Sequence, residues 1–335
     1  MFRSILVLGI AGAIAAFSVS AFAGATIKLG HVDPADWQTS KKGAAGVIFK
    51  NIVEGETNIK VELFPASALG AENDLVQQVQ EGTTQMAFVS GAMAKVCKAA
   101  DILNIPYEFA SAPIAWDVLD GQFGKDLAEH CLKQSGLRTL AYGETGFRNF
   151  TNNVREIKSP ADMKGLKFRV QPITLYVEMV KSLGGEPTPI AWPEVPSAMT
   201  TGVIDGHENP VGVIYSNNLH KLQKYMILDG HVYGADFFVI NDDFFQALPA
   251  NDQAIVAKAA RTAGLMGRAI QQFTTADGVT KVTAEGMKVY SPTAAELEQF
   301  KTLAQPAVRK WLAGELGTDA VWIEKLDAAV AAASK

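Results

Sequence analysis

The strongest constraint on the fold is an alternation. Short runs rich in β-branched and aromatic residues are followed, again and again, by longer stretches of helical periodicity. Thr26–His31 reads as a strand, Lys41–Gly55 as a helix, and Ile59–Phe64 as a strand ended by Pro65. In Ala71–Gly82, Leu75, Val76 and Val79 share one helical face and Gly82 stops the helix. Met86–Val89 is a short buried strand, Trp116–Ser135 a helix and Leu137–Tyr142 a strand. Ser159-Pro160 starts a helical turn that Gly165 stops, and Leu166–Val170 is the next strand. A helix marked by Leu175, Tyr176, Met179, Val180 and Leu183 closes at Gly184-Gly185. A short helix, Glu194–Thr201, then precedes a strand at Val203–Asp205. From Ala250 onward the pattern is helical: Ala250 to about Met287, Pro292–Leu303 and Asp319–Ala332. Such an order implies an α/β protein with mostly parallel sheets. At about 150 residues per domain, 335 residues suggest two domains. No Pro/Ser-rich tether separates them, so short crossing strands would have to join them.

The first segment sets the compartment. Met1-Phe2-Arg3 is followed by the uncharged run Ile5 to Phe17 and by Ala21-Phe22-Ala23, an A-x-A cleavage site. This is the pattern of a secretory signal peptide, with Gly24 as the expected first residue of an exported product. The run is shorter than the ~20 apolar residues a membrane span needs, and no later segment is long enough. An oxidising compartment permits a bridge between Cys97 and Cys131; the alternative is two buried thiols that never meet. Two cysteines and five scattered histidines provide no zinc spacing. A net charge of −5 argues against nucleic acid or anionic membrane as main partners. Any bound anion must therefore be held by a few placed cations.

Catalytic patterns are mostly absent. The chain has no G-x-S-x-G, H-E-x-x-H, G-x-x-x-x-G-K-[ST] or strand-linked G-x-G-x-x-G. His207 and Glu208 beside Asp205 form an acid/base cluster, but no Ser or Cys nucleophile stands next to it. The informative residues sit where strands end, because ligands of open α/β sheets bind there. Gly143 to Asn152 follows one strand, Arg169 lies near the end of another with Gln171-Pro172 after it, and Gly206 to Pro210 follows a third. Arg169 alternates with Phe168 and Val170 and so points away from them. The planar fork of arginine accepts a carboxylate through two parallel hydrogen bonds. Taken alone, a strand-end arginine is as readily a surface ion pair.

Several strings together are more specific. Gly146-Phe147-Arg148-Asn149-Phe150-Thr151-Asn152, Lys164 to Val170 and Gly206-His207-Glu208-Asn209-Pro210 resemble the solute-binding proteins of TRAP (tripartite ATP-independent periplasmic) transporters, of the DctP-like kind. So do Gly30-His31, Phe64-Pro65-Ala66-Ser67-Ala68-Leu69-Gly70-Ala71-Glu72, and Val232-Tyr233 after Gly230-His231. The resemblance runs in order along nearly all of the chain after residue 23.

The resemblance implies a two-lobed, periplasmic-binding-protein-like fold, each lobe a mixed, mostly parallel sheet flanked by helices, with long helices joining the lobes. Residues 24–145 with 235–273 would form lobe I, and 146–234 with 274–335 lobe II and the C-terminal helices. It implies a periplasmic monomer that closes on a small organic acid and hands it to the small and large membrane subunits of a permease, without cofactor or metal. The family's carboxylate clamp falls on Arg169, a second arginine on Arg148 and an asparagine contact on Asn209. Trp192 and Pro196 depart from the usual pattern of that segment. Trp192 could stack on the ligand or pack between the lobes. His207, where Gln is common, could pack near the Asn209 turn or give ligand a pH-sensitive hydrogen bond. Glu72 and Asp33 could accept hydrogen bonds from ligand hydroxyls, Glu72 having helix-dipole stabilisation as its alternative. His31, Ser90, Phe147 and Gln171 complete the expected ligand set. The same lobed class also serves ATP-driven importers and sensor kinases, and a secreted hydrolase built on His207 and Glu208 is the rival of a different class.

Overall fold

The computed structural model of the chain describes residues 24–335; the leader expected over 1–23 lies outside the described residues. β1 (Thr26–Gly30) leads to α1 (Lys41–Glu56), whose first turn is capped by the Ser40 side chain accepting from the Gly43 amide at 3.0 Å. β2 (Lys60–Phe64), α2 (Glu72–Gln80) and β3 (Met86–Val89) follow as the alternation predicts. The helix expected over Trp116–Ser135 is instead two, α3 (Ala112–Asp120) and α4 (Gln122–Ser135), interrupted at Gly121. β4 (Leu137–Asn152) runs ten residues beyond the strand expected at Leu137–Tyr142. β5 (Lys167–Val170), α5 (Thr174–Ser182) and β6 (Glu186–Pro189) form a parallel unit. After α6 (Val195–Thr200), β7 occupies Gly206–Asn209 rather than Val203–Asp205. Next come α7 (Val211–Ser216), β8 (Tyr225–Ile227), β9 (Val232–Asn241), α8 (Asp242–Ala247) and α9 (Ala250–Ala284). β10 (Lys288–Tyr290), α10 (Ala294–Leu316) and α11 (Val321–Ala333) complete the chain. α10 passes through Pro306 and so extends past Leu303, where the sequence pattern stops.

The strands make one mixed sheet in the order β2-β1-β3-β9-β4-β7-β5-β6, with β8 on β4 and β10 on β8. Ladders β1–β2, β1–β3, β5–β6, β5–β7 and β8–β10 are parallel. β4 and β9 pair antiparallel to each other and tie the two parallel groups together, β9 through β3 and β4 through β7 and β8. Their ladder runs from Leu137 opposite Asn241 to Arg148 opposite Val232, with irregularities between Thr139 and Ala141 and between Glu144 and Gly146. Gly146 has φ +99°, a conformation that glycine adopts at little cost, so the turn-like Gly-Glu-Thr-Gly string is a bulge inside a strand.

One core, around Phe49, Phe88, Phe238 and Val256, lies between α1, α9 and the first parallel group. A second, around Phe150, Phe168 and Tyr176, continues under α10 and α11. A third joins α6 and α7 to Val282 of α9. α9 thus packs on α1 and β4 and then on α7, crossing between the two strand groups. α10 packs on α5, whereas α11 packs on α3 and α4, elements within the stretch expected as lobe I. Cys97 and Cys131 are joined by a disulfide that anchors the segment after β3 to α4. No helix among the described residues is long and apolar enough to cross a membrane.

Candidate functional site

The carboxyl ends of β1, β3 and β5 converge on a cavity enclosing about 620 Å³ of non-atom space, part of it open to solvent. Its walls come from both parallel groups. Asp33, Lys41, Lys42, Glu72 and Ser90 stand on one side, and Arg148, Arg169, Gln171, Trp192 and Asn209 on the other. The two sides touch. A Cβ on Gly91 would stand 2.2 Å from Cδ1 of Ile173, and the Tyr176 hydroxyl donates to Oδ1 of Asn104 at 3.1 Å. The cleft is therefore in a closed arrangement.

Arg169 is 2% exposed. Its register in β5, opposite His207 of β7 and Thr188 of β6, turns the side chain across the strand end. Nε donates to the carbonyl of Ile190 at 2.8 Å, which fixes the plane of the fork. Its guanidinium carbon lies 5.5 Å from the centre of the Trp192 ring. Among the described residues, no protein acceptor meets its two terminal nitrogens and no carboxylate pairs with it. Burial of the cation, reinforced by Arg148 and partly countered by Glu208, lowers its pKa to about 10. At pH 7 it is therefore a charged, desolvated group with an unmet demand for an anion.

Arg148 differs. Its Nη2 donates to Oε1 of Glu208 at 2.7 Å and to the Glu208 carbonyl at 2.8 Å, and its Nε donates to Oε2. Both side chains are almost fully enclosed. Burial alone would raise the Glu208 carboxyl, but Arg148 and the His231 hydrogen bond hold it down at about 2. His231 Nε2 lies 3.3 Å from Glu208, and its Nδ1 lies 2.8 Å from Asp229. Arg148 is thus already neutralised by protein, and it lines the cavity.

The opposite wall is a compensated network. Lys41 donates to Asp33 at 2.6 Å and lies 3.6 Å from Asp236. Lys42 donates to Glu72 at 2.7 Å and lies 3.3 Å from Asp236, which accepts from Thr145 at 2.6 Å. Glu72 accepts further from the amide and hydroxyl of Ser90. Burial alone would raise both carboxyls, but the lysines hold Asp33 at about 2 and, with Ser90, hold Glu72 below its ordinary value. Lys41 and Lys42 are buried despite opening a helix, where a Lys-Lys pair ordinarily reads as solvent-facing. The sequence reading missed them and Thr145; nothing local marks them, because their acid partners come from β9, from the segment after β1 and from the first residue of α2.

Of the expected ligand set, the structure brings Arg169, Arg148, Asn209, Trp192, Glu72, Asp33, Ser90 and Gln171 to the cavity wall, and leaves His31, Phe147 and His207 outside it. His31 is buried against Phe88, its pKa lowered to about 4 by burial despite Asp33 nearby. The Phe147 ring packs on Tyr233. The Asn209 amide lies 3.1 Å from Nδ1 of His207, and burial with Arg169 nearby drives the His207 pKa to about 3. It stays neutral at physiological pH, so the reading of a pH-sensitive ligand contact gives way to one of a positioner for Asn209. Glu208 is locked between Arg148 and His231, which removes the acid/base pair from which a hydrolase was imagined. Among the described residues no cluster suited to a metal ion occurs.

Comparison with known proteins agrees with this geometry. The family model described as DctP, bacterial extracellular solute-binding protein, family 7, matches residues 29–315. A solute-binding protein of Verminephrobacter eiseniae is 38% identical over 75% of this chain and 76% of its own. A TRAP periplasmic solute-binding protein of Bordetella, with density assigned to pantoate, superposes with a TM-score of 0.83 at 33% identity, covering 90% of this chain and 98% of its own. Another, from Polaromonas with bound D-erythronate, gives 0.84 at 32% identity, covering 91% and 98%.

Proposed function

This chain belongs to the DctP family of TRAP-transporter solute-binding proteins, receptors rather than enzymes, and from that premise we propose that it captures a small monocarboxylate bearing a 2-hydroxy or 2-oxo group and further hydroxyls. The observation that carries this reading is Arg169, a buried guanidinium whose terminal nitrogens face the cavity without an acid partner. A carboxylate there completes a bidentate pair in a desolvated setting, where such pairs are strong. Trp192, over the guanidinium, keeps water from the pair. Because Glu208 already neutralises Arg148, a second carboxylate finds no free cation; a 2-oxygen can still accept from Arg148. The lysine–carboxylate wall suits hydroxyls, which both donate and accept. Pantoate and D-erythronate, held by two of the similar structures, are acids of this kind.

The chain exports through a cleaved leader, and the loaded, closed form docks on the membrane subunits of a TRAP permease. The hinge is the β4–β9 ladder at the second of its two irregularities, where Glu144 stands opposite Ala235 and Gly146 opposite Gly234; this supports lobe boundaries near 145/146 and 234/235. Titration calorimetry with short hydroxy acids, their amides and matched dicarboxylates tests the reading. Acids should bind, amides should not, and Arg169→Lys should lose most of the affinity because the fork is gone. Binding of amides as tight as of acids would refute it.

A further inference from the structure

The charges on the cavity wall opposite Arg169 do not cancel. Lys41 and Lys42 bring two positive charges, and Asp33, Glu72 and Asp236 bring three negative ones. Asp33 and Glu72 each take one lysine, at 2.6 and 2.7 Å. Asp236 is the extra acid. It lies on β9, is 1% exposed and does not line the cavity. From behind the lysines it stands 3.6 Å from Lys41 and 3.3 Å from Lys42, and the Thr145 hydroxyl donates to it at 2.6 Å. Burial alone would lower the Lys42 ammonium, but Asp236, ahead of Glu72 and Asp33, raises it. Neither lysine has charge to spare for a ligand. Across the cavity Arg169 carries one positive charge without an acid, while Glu208 cancels Arg148. A cationic pole thus faces a wall that is one charge negative.

Taking Arg169 as the holder of the first carboxylate, the reading on which this rests, we propose that Asp236 is a positioning residue that sets specificity: it keeps the lysine wall one charge negative, and the site thereby refuses a second carboxylate at the far end of the ligand. A distal hydroxyl can donate to Asp33 or Glu72. A distal carboxylate can only accept, and it meets two acids whose lysines are already shared with Asp236. In the shut cleft that repulsion is little screened. Such a ligand enters only with a proton. The proton goes to the ligand, because against burial the lysines hold Asp33 at about 2 and Glu72 below its ordinary value, whereas a free carboxyl sits near 4. The other titratable groups around Asp236 do not supply it. Burial lowers His31 to about 4 and pushes the Tyr233 hydroxyl far up, so both stay neutral. Burial pushes Glu144 of β4 up to about 7, but Trp116 and Gln272 hold it outside the cavity, where it acts on every ligand alike.

Calorimetry of the mature chain with matched acids tests this. D-erythronate is paired with meso-tartrate and D-galactonate with galactarate, each pair differing only in a terminal hydroxymethyl or carboxylate. At pH 7 the wild type should bind the one-carboxylate acids about a hundredfold or more tightly, the cost of protonating an ordinary carboxyl at that pH. In buffers of different ionisation enthalpy, each dicarboxylate should take up close to one proton and its partner almost none. The gap should therefore narrow about tenfold from pH 7 to pH 6. Asp236→Asn should narrow the gap at pH 7 by about tenfold and remove most of the proton uptake, whereas loss of a merely structural group would weaken both acids alike. The wild-type proton uptake tests the proposal even where that variant folds poorly. Equal affinity within a pair, dicarboxylate binding without a proton, or a gap unchanged by Asp236→Asn overturns the role of Asp236. Arg169→Lys tests the premise separately: one-carboxylate acids bound by it as tightly as by the wild type refute the reading of Arg169 instead.

Discussion

Glu208→Gln removes one charge from the most enclosed ion pair at the site while keeping its shape. The Glu208 carboxyl sits at about 2, against an ordinary 4.5. That gap corresponds to roughly 3 kcal/mol of folding stability at neutral pH. The sign follows from the direction of the shift. A depressed carboxyl contributes fully above its unfolded pKa near 4.5, and the contribution disappears as pH falls toward 2. Breaking a buried pair by removing one partner gives a similar figure, roughly 3–5 kcal/mol, because Arg148 is left uncompensated. Urea unfolding at pH 7 should therefore place the variant about 3 kcal/mol below the wild type, with the difference shrinking below pH 4.5. The freed Arg148 becomes a second unpaired cation on the cavity wall, so affinity for dicarboxylates should rise relative to monocarboxylates. Equal stability at pH 7, or a deficit that does not change with pH, would refute the assignment of Glu208 as the counter-ion of Arg148.

Three further outcomes are expected. Gly91→Val should reduce ligand affinity by about tenfold or more and leave the fold intact, since the new side chain meets Ile173 and Gln171 only when the cleft shuts; calorimetry and thermal unfolding separate the two effects. Cys97→Ser with Cys131→Ser should cost roughly 3–4 kcal/mol in chemical denaturation, from the 34-residue separation the bridge spans. Burial pushes Asp101 up to about 7, although Asn104 accommodates its charge with one hydrogen bond. A raised carboxyl makes stability fall as pH rises from about 4 to 7, by roughly 2–4 kcal/mol, and Asp101→Asn should flatten that slope in pH-dependent unfolding.

The alternation, the start of α1 at Lys41 and the single-faced helices were readable because each depends on neighbours in the chain. Strand alternation also turned Arg169 away from Phe168 and Val170, but left a surface ion pair as ready a reading; the clamp role came from the family resemblance. What the sequence hid was long-range. Gly143 to Gly146 looks like a turn, and only pairing with β9 keeps it extended. β9 itself was not read, since buried on both faces it lacks alternation, and Gly234 and Asp236 interrupt its apolar run. The expected helix stopped at Leu303, short of Pro306, but the packing of Phe300, Ala304, Val308 and Leu312 holds α10 through that proline. The pairing of Arg148 with Glu208, 60 positions away, has no local signature, and so the neutralised arginine could not be told from the free one.

In the proposed function, Arg169 holds the carboxylate of the bound acid. A crystal structure of the mature protein with a short 2-hydroxy monocarboxylate tests it directly. Both carboxylate oxygens should lie within about 3 Å of the two terminal nitrogens of Arg169, with the 2-oxygen toward Arg148 and the remaining hydroxyls toward Glu72 and Asp33. A carboxylate resting on Lys41 or Lys42 instead, with Arg169 facing only water, would contradict it.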